Sequence, residues 1–247
     1  MAYVDGWRGR IGLITIAAGS STEHEFHKYA PVGVGILTTR VILGGMSPEA
    51  LVEMGPYIDE AASLLAGAEV DVIAFACTAG SLVKGVGYDQ EIIERLKSRT
   101  GLPVTTTTTG VVEALKILNV RKVVVTTPYM SEVNQAEKAF LEGNGFHVLR
   151  LRGVESTEPK FVPQIQPEVM YRLTKETFTE DADGIFISCT GLHVDNIIEL
   201  LEKDLKRPVI ASNQATLWSA LRKINIHEKI EGLGKLFECG AKASSFK

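Results

Sequence analysis

Two cysteines of this chain stand in nearly the same company. Cys77 follows Asp71-Val-Ile-Ala-Phe-Ala and precedes Thr78-Ala79-Gly80, while Cys189 follows Asp183-Gly-Ile-Phe-Ile-Ser and precedes Thr190-Gly191. A thiol directly after a buried strand, at a Gly-containing turn, sits where open parallel sheets carry their ligand crevice. Amides of such a turn, and the positive end of a helix beyond it, would lower a thiol pKa and bind carboxylate oxygens. If the turns face each other, the sulfurs approach one substrate from opposite sides. One thiolate can then remove an α proton while the other thiol returns one, which is racemisation. A thiolate can instead add to an activated double bond and leave after C–C rotation, giving the trans isomer. The third route is loss of carbon dioxide, with Cys189 alone protonating the enediolate. A single buried cysteine would read as a small hydrophobe; the matched turns favour chemistry, and Cys239, without such a turn, is structural.

The elements that must carry these turns repeat. Residues 71–80 match 183–191 at an offset of 112, Gly12-Leu-Ile-Thr matches Val123-Val-Val-Thr at 111, and Leu102-Pro103-Val104 matches Arg207-Pro208-Val209 at 105. Three elements in one order at nearly one offset indicate a duplicated half-chain and a cleft between two lobes. Val- and Ile-rich runs at 11–16, 34–38, 70–76, 104–106, 122–126, 147–151, 184–188 and 209–211 read as strands of parallel sheets. Amphipathic segments at 48–66, 91–99, 110–118, 132–143, 167–177, 194–203 and 215–223 read as helices. Ser47 and Pro48 give the first of these an N-cap and a first-turn proline.

Composition narrows the classes. At 247 residues the chain can build a substantial core, and its net charge of −4 offers no basic field for nucleic acid. The longest uncharged run, 208–221, is too short and too polar to cross a bilayer. Arg8 and Arg10 before the apolar 11–18 stretch mimic a signal peptide, but Asp5 and the short run favour a first strand. Three cysteines without a Cys-x-x-Cys pair suggest neither disulfides nor a thiolate metal site, and a cytoplasmic setting is simplest.

Gly12-Leu-Ile, Ala76-Cys77-Thr78-Ala-Gly80-Ser81, Gly87-Tyr88-Asp89-Gln90-Glu91, the 106–115 segment, Thr126-Thr-Pro128-Tyr129, Ser188-Cys189-Thr190-Gly191-Leu192 and Gly234-Lys-Leu-Phe-Glu together resemble the cofactor-independent Asp/Glu racemase superfamily. Within it the chain resembles the branch of maleate cis-trans isomerases and arylmalonate decarboxylases. The resemblance implies an α/β fold of two pseudo-symmetric Rossmann-like lobes, an active site between them, and no metal, nucleotide or other cofactor. It places Cys77 and Cys189 at the catalytic cysteine positions and Tyr129 at a carboxylate-binding tyrosine. Thr78 and Ala79 with their turn, and Thr190 and Gly191 with theirs, fall at oxyanion-binding positions, where preorganised donors would hold an enediolate. It also implies a first lobe of residues 1–108 plus 213–247 and a second of 109–212.

The sequence departs from both relatives. Gly19 stands where the isomerases carry an Asn, and residues 153–159 hold no counterpart of their second substrate Asn. Conversely, the decarboxylases have a glycine at the Cys77 position and a hydroxyl residue at Ala79, while Leu43 and Met46 align with their apolar pocket. The reading adopted is an isomerase or racemase of a small carboxylic or dicarboxylic acid. A decarboxylase is the alternative, and a two-lobed small-molecule binding protein the rival outside catalysis. An apolar face on the first lobe would accommodate a homo-oligomer. His24 and His27 beside Glu23 and Glu25 read as a solvated polar face rather than a metal site. Thr105 to Thr109 fit either a cleft wall or strand propensity, and Ser212, Asn213 and Gln214 are candidate substrate contacts.

Overall fold

The computed structural model describes residues 6–156 and 158–239, in which eight strands form two four-stranded sheets. The first sheet holds β1 (Gly9–Ile16), β2 (Val34–Val41), β3 (Val72–Ala76) and β4 (Val104–Thr106) in the order β2-β1-β3-β4. The second holds β5 (Lys122–Thr127), β6 (His147–Gly153), β7 (Gly184–Ile187) and β8 (Val209–Ala211) in the order β6-β5-β7-β8. Every paired strand is parallel. This is the α/β architecture read from the sequence, and the repeated segments take matching places in the two sheets. In each, the strand order reverses between the first and third strands, so the crevice opens at their carboxyl ends. Cys77 leaves β3 there, and Cys189 follows Ser188 beyond β7.

β3 and β7 are buried at every position, as strands covered on both faces require. The aspartate that precedes each has a local duty. Asp71 Oδ2 accepts the Arg10 N–H at 2.7 Å and Asp183 Oδ2 the Lys122 N–H at 2.9 Å, each capping the entry of the neighbouring strand.

Helices α6 (Thr107–Ile117) and α10 (Ser212–Lys223) grow directly out of β4 and β8 and pack against one another, tying the sheets together. At Gly110 a Cβ would lie 2.6 Å from the Ala215 carbonyl oxygen, so the crossing depends on glycine. Leu13 of one sheet, Val125 and Phe186 of the other, and Leu115 and Leu217 of the two helices belong to one continuous apolar cluster. Five further helices cover the outer faces: α3 (Gly55–Gly67) and α5 (Tyr88–Thr100) on the first sheet, α7 (Ser131–Gly143), α8 (Pro167–Thr177) and α9 (Ile198–Leu205) on the second.

Several boundaries differ from the periodicity reading. The expected 48–66 helix is two, α2 (Pro48–Glu53) and α3, with the break at Met54. Pro56 has no N–H for the Val52 carbonyl, and its ring obstructs that turn. The expected start holds, because Ser47 Oγ accepts the Ala50 N–H at 3.3 Å. α6 and α10 begin three residues early, straight from their strands, and Thr106 Oγ1 caps α6 by accepting the Thr109 N–H at 3.2 Å. Three helices were not anticipated: α1 (Ser21–Tyr29), α4 (Thr78–Leu82) and α11 (Gly234–Glu238). On α1 the solvated-face reading holds for His24 and His27, which are exposed, and is corrected at Glu25, which is buried beside Phe26. Among the described residues no helix is long and apolar enough to cross a membrane.

Candidate active site

A cavity of about 50 Å³ lies between the two sheets at these strand ends. A single water needs roughly 10–15 Å³ on the same measure, so the space suits a small molecule. Its wall includes Cys77, Thr78 and Ala79 from the first repeated turn, Cys189, Thr190 and Gly191 from the second, and Tyr129 after β5. Gly19 after β1 and Leu43 and Met46 after β2 complete the ten positions singled out in the sequence. Among the described residues no Lys, Arg or His lines this space.

The two thiols are held differently. Cys77 is the extended residue (φ −151°) that caps α4, and its Sγ accepts the Gly80 N–H at 3.4 Å. A Cβ on residue 80 would stand 2.9 Å from that sulfur, so glycine is what lets the amide reach it. Cys189 has φ +114°, a conformation that costs a non-glycine residue on the order of 1–3 kcal/mol. The Ser188 N–H bonded to the Thr126 carbonyl at 2.8 Å and the Cys189 N–H bonded to Ser212 Oγ at 2.9 Å hold it there. The Gly191 N–H reaches Cys189 Sγ at 3.4 Å.

Hydroxyl groups stitch the turns across the lobes. Thr78 Oγ1 donates to Ser212 Oγ at 2.9 Å, and Thr190 Oγ1 donates to the Ala76 carbonyl at 3.3 Å. Both threonine hydroxyl protons are therefore committed within the protein. At the first turn the N–H groups of Thr78 and Ala79 open α4 and have no intrahelical acceptor.

Burial dominates the electrostatics. It pushes the Cys77 thiol up to about 12, against the Gly80 N–H, which favours the thiolate. It pushes Cys189 up to about 11, opposed first by the Tyr129 hydroxyl and then by the Gly191 amide. The expectation of lowered thiol pKa values is thus reversed. α4 has only five residues, and a 3-10 turn is the first helical element after Cys189; turn amides moderate desolvation without overcoming it. Cys189 is the easier thiol to ionise. Tyr129, buried beside it, titrates well above the usual tyrosine range and stays a hydrogen-bond donor.

A family model described as arylmalonate decarboxylase matches residues 11–237. The chain belongs to the arylmalonate decarboxylase family. Arylmalonate decarboxylase of Bordetella bronchiseptica is 29% identical over 231 residues, covering 92% of this chain and 96% of the relative. A maleate isomerase of Nocardia farcinica is 25% identical over 237 residues, covering 92% and 94%. A crystal structure of the maleate isomerase Iso from Pseudomonas putida with maleate superposes with a TM-score of 0.90 at 24% identity, over 94% of this chain and 98% of that one, and shares the fold.

For this member of the arylmalonate decarboxylase family, the sequence reading left out part of the wall. Ile16, Ala18, Leu51 and Val133 contribute, as do Pro159, Val162 and Pro163 from a 3-10 turn (Pro159–Gln164) after β6. Two prolines bracketing Phe161-Val162 in a polar connection were the available signal. Other candidates lie behind the cavity. Ser212, Asn213 and Gln214 open α10, are buried, and bond to protein groups rather than lining the space. Thr105 to Thr109 are buried too: Thr105 Oγ1 meets Ser219 Oγ at 2.8 Å and Thr109 Oγ1 donates to Asp89 Oδ2 at 2.6 Å. They tie β4 and α6 to neighbouring helices and do not line this cavity.

Proposed function

We propose that the protein is a cofactor-independent isomerase or racemase of a small carboxylic acid, with Cys77 and Cys189 as its proton-transfer groups. The observation that carries this reading is the convergence of two thiols, one from each repeated turn, on one cavity. The ligand's carboxylate would accept from the N–H groups of Thr78 and Ala79. Cys189, the more readily ionised thiol, takes the α proton as a thiolate and becomes a thiol. The electron pair moves into the carboxylate, giving an enediolate that the same amides stabilise. The Cys77 thiol then delivers its proton to the opposite face and becomes the thiolate. Starting from the mirror-image acid, the roles reverse.

The rest of the wall selects the substituent. Leu43, Met46, Leu51, Val133 and Val162 offer no donor, and burying a second carboxylate against them costs several kcal/mol. The reading therefore favours an acid with one carboxylate and an apolar α substituent over a dicarboxylate held at both ends. Incubation of single-enantiomer acids in heavy water, followed by chiral chromatography and mass spectrometry, tests it. Both enantiomers should form with deuterium at the α carbon, and Cys77→Ala and Cys189→Ala should each abolish this. Full activity in both variants would sink the proposal.

Decarboxylation is the second reading. It is favoured by the family match, by Gly19 and by the apolar wall, against which a carboxylate awaiting loss as carbon dioxide would be destabilised. The same variants separate the two, because carbon dioxide release from a malonate would survive Cys77→Ala and need Cys189.

A further inference from the structure

The carbonyl oxygen of Thr190 accepts three hydrogen bonds. Ser21 Oγ donates at 2.7 Å, Thr22 Oγ1 at 2.9 Å and Asn213 Nδ2 at 3.1 Å. A carbonyl oxygen has two lone pairs, and this one is buried against α1 of the first lobe and the start of α10. The other proton of Asn213 Nδ2 goes to Glu25 Oε1 at 3.0 Å, which fixes the amide's orientation. The peptide unit that ends in this carbonyl begins the next residue with the Gly191 N–H, and that N–H is bonded to Cys189 Sγ. Donors on the oxygen of a peptide draw electron density from its nitrogen and strengthen the N–H as a donor, most of all in a low-dielectric interior.

We infer that Ser21, Thr22 and Asn213 are positioning residues for Cys189, acting through the polarised Thr190–Gly191 peptide to favour its thiolate. The inference builds on Cys189 as a reacting thiol, the assignment made under the proposed function. Among the described residues no equivalent arrangement serves Cys77, whose amide partner belongs to Gly80 in the short helix α4. The titratable groups that act on the Cys189 sulfur are Tyr129, Glu137 and Cys77. None of them belongs to the network, whose own titratable member is Glu25, bonded to Asn213; the Ser21 and Thr22 substitutions leave that bond in place, so the effect of their hydroxyls is separable.

The test is the pH dependence of iodoacetamide labelling, read separately at Cys77 and Cys189 by peptide mass spectrometry, in a Ser21→Ala/Thr22→Val double variant. The Cys189 profile should move upward by roughly half a pH unit or more while that of Cys77 stays put, since two of three donors are gone. Thr22→Ser, which keeps the hydroxyl, should retain the wild-type profile. Ser21→Ala alone carries the same test at smaller amplitude should the double variant not fold. With a turned-over acid in hand, kcat should fall about tenfold with KM within about twofold. An unmoved Cys189 profile, or equal movement at both cysteines, would show that the bonds merely dock α1. Labelling needs no substrate, so this outcome is distinct from a failure to find the acid.

Discussion

Ser212 Oγ accepts the backbone N–H of Cys189 at 2.9 Å, and the same oxygen accepts the Thr78 hydroxyl at 2.9 Å. One side chain at the start of α10 thereby holds the strained Cys189 backbone and anchors the turn that follows Cys77. The Thr78 hydroxyl is buried and the Cys189 N–H partly so, and Ser212→Ala leaves both without this acceptor. The expected loss of stability is about 1–3 kcal/mol in urea denaturation. Activity should fall roughly tenfold as Cys189 relaxes, a change equivalent to ~1.4 kcal/mol in the barrier. Unchanged unfolding and turnover would show that the turns do not depend on this hydroxyl.

Tyr129 acts on the neighbouring sulfur. Its hydroxyl is the largest influence opposing the rise in the Cys189 pKa. Tyr129→Phe keeps the ring and removes only that donor, so Cys189 should become harder to ionise. At pH 9 its alkylation should slow by about threefold to tenfold, as expected for one hydrogen bond of ~0.5–1.5 kcal/mol, with Cys77 nearly unaffected. Peptide-resolved labelling rates decide the matter, and a faster Cys189 would reverse the assigned sign.

The crossing of α6 and α10 supplies a prediction about the scaffold. A Gly110→Ala methyl would stand 2.6 Å from the Ala215 carbonyl oxygen, a backbone atom that cannot swing aside. The helices must separate, at a cost of about 1–3 kcal/mol for overpacking. Because α10 carries Ser212 and Asn213, the separation should also lower turnover. Denaturant midpoints for Gly110→Ala check the first part, and a midpoint equal to wild type would mean that the helices slide freely.

The repeat at residues 71–80 and 183–191 was enough to place both thiols at strand ends, because buried parallel strands announce themselves through apolar runs and the turn residues follow directly. The rest of the wall was harder to read. Pro159, Val162 and Pro163 reach the cavity from a connection whose path depends on tertiary packing, and no periodicity encodes that. Helix α1 escaped notice because its polar residues Ser21, Thr22 and Glu25 face inward, where they bond to Thr190 and Asn213. An inward polar face defeats a rule built on apolar periodicity. The thiol pKa direction is hidden for a related reason, since sequence displays the turn amides but not the depth at which they lie.

Two buried carboxyl groups make the stability of the fold depend on pH. Burial raises Glu25 to about 8, against one hydrogen bond from Asn213, and raises Glu137 to about 8, against one from Ser188. Glu137 Oε2 has no hydrogen-bond partner among the described residues. In the unfolded chain both side chains ionise near the ordinary value of 4.5. Below that, folded and unfolded states are both protonated and stability is at its fullest with respect to these groups. Between pH 4.5 and 8 the unfolded state has released its protons while the folded state keeps them, so unfolding free energy falls as pH rises. Above about 8 the loss is complete. Glu23 and Asp195 have lowered pKa values and contribute the opposite slope only in the acid range, below this window. Glu137→Gln removes one of the two titrations and leaves Ser188 an amide oxygen to bond. Melting temperatures measured from pH 5 to 9 should therefore decline in the wild type and decline less steeply in Glu137→Gln, with the variant ahead at pH 8. Parallel curves for the two proteins would mean that Glu137 is already ionised in the fold at neutral pH.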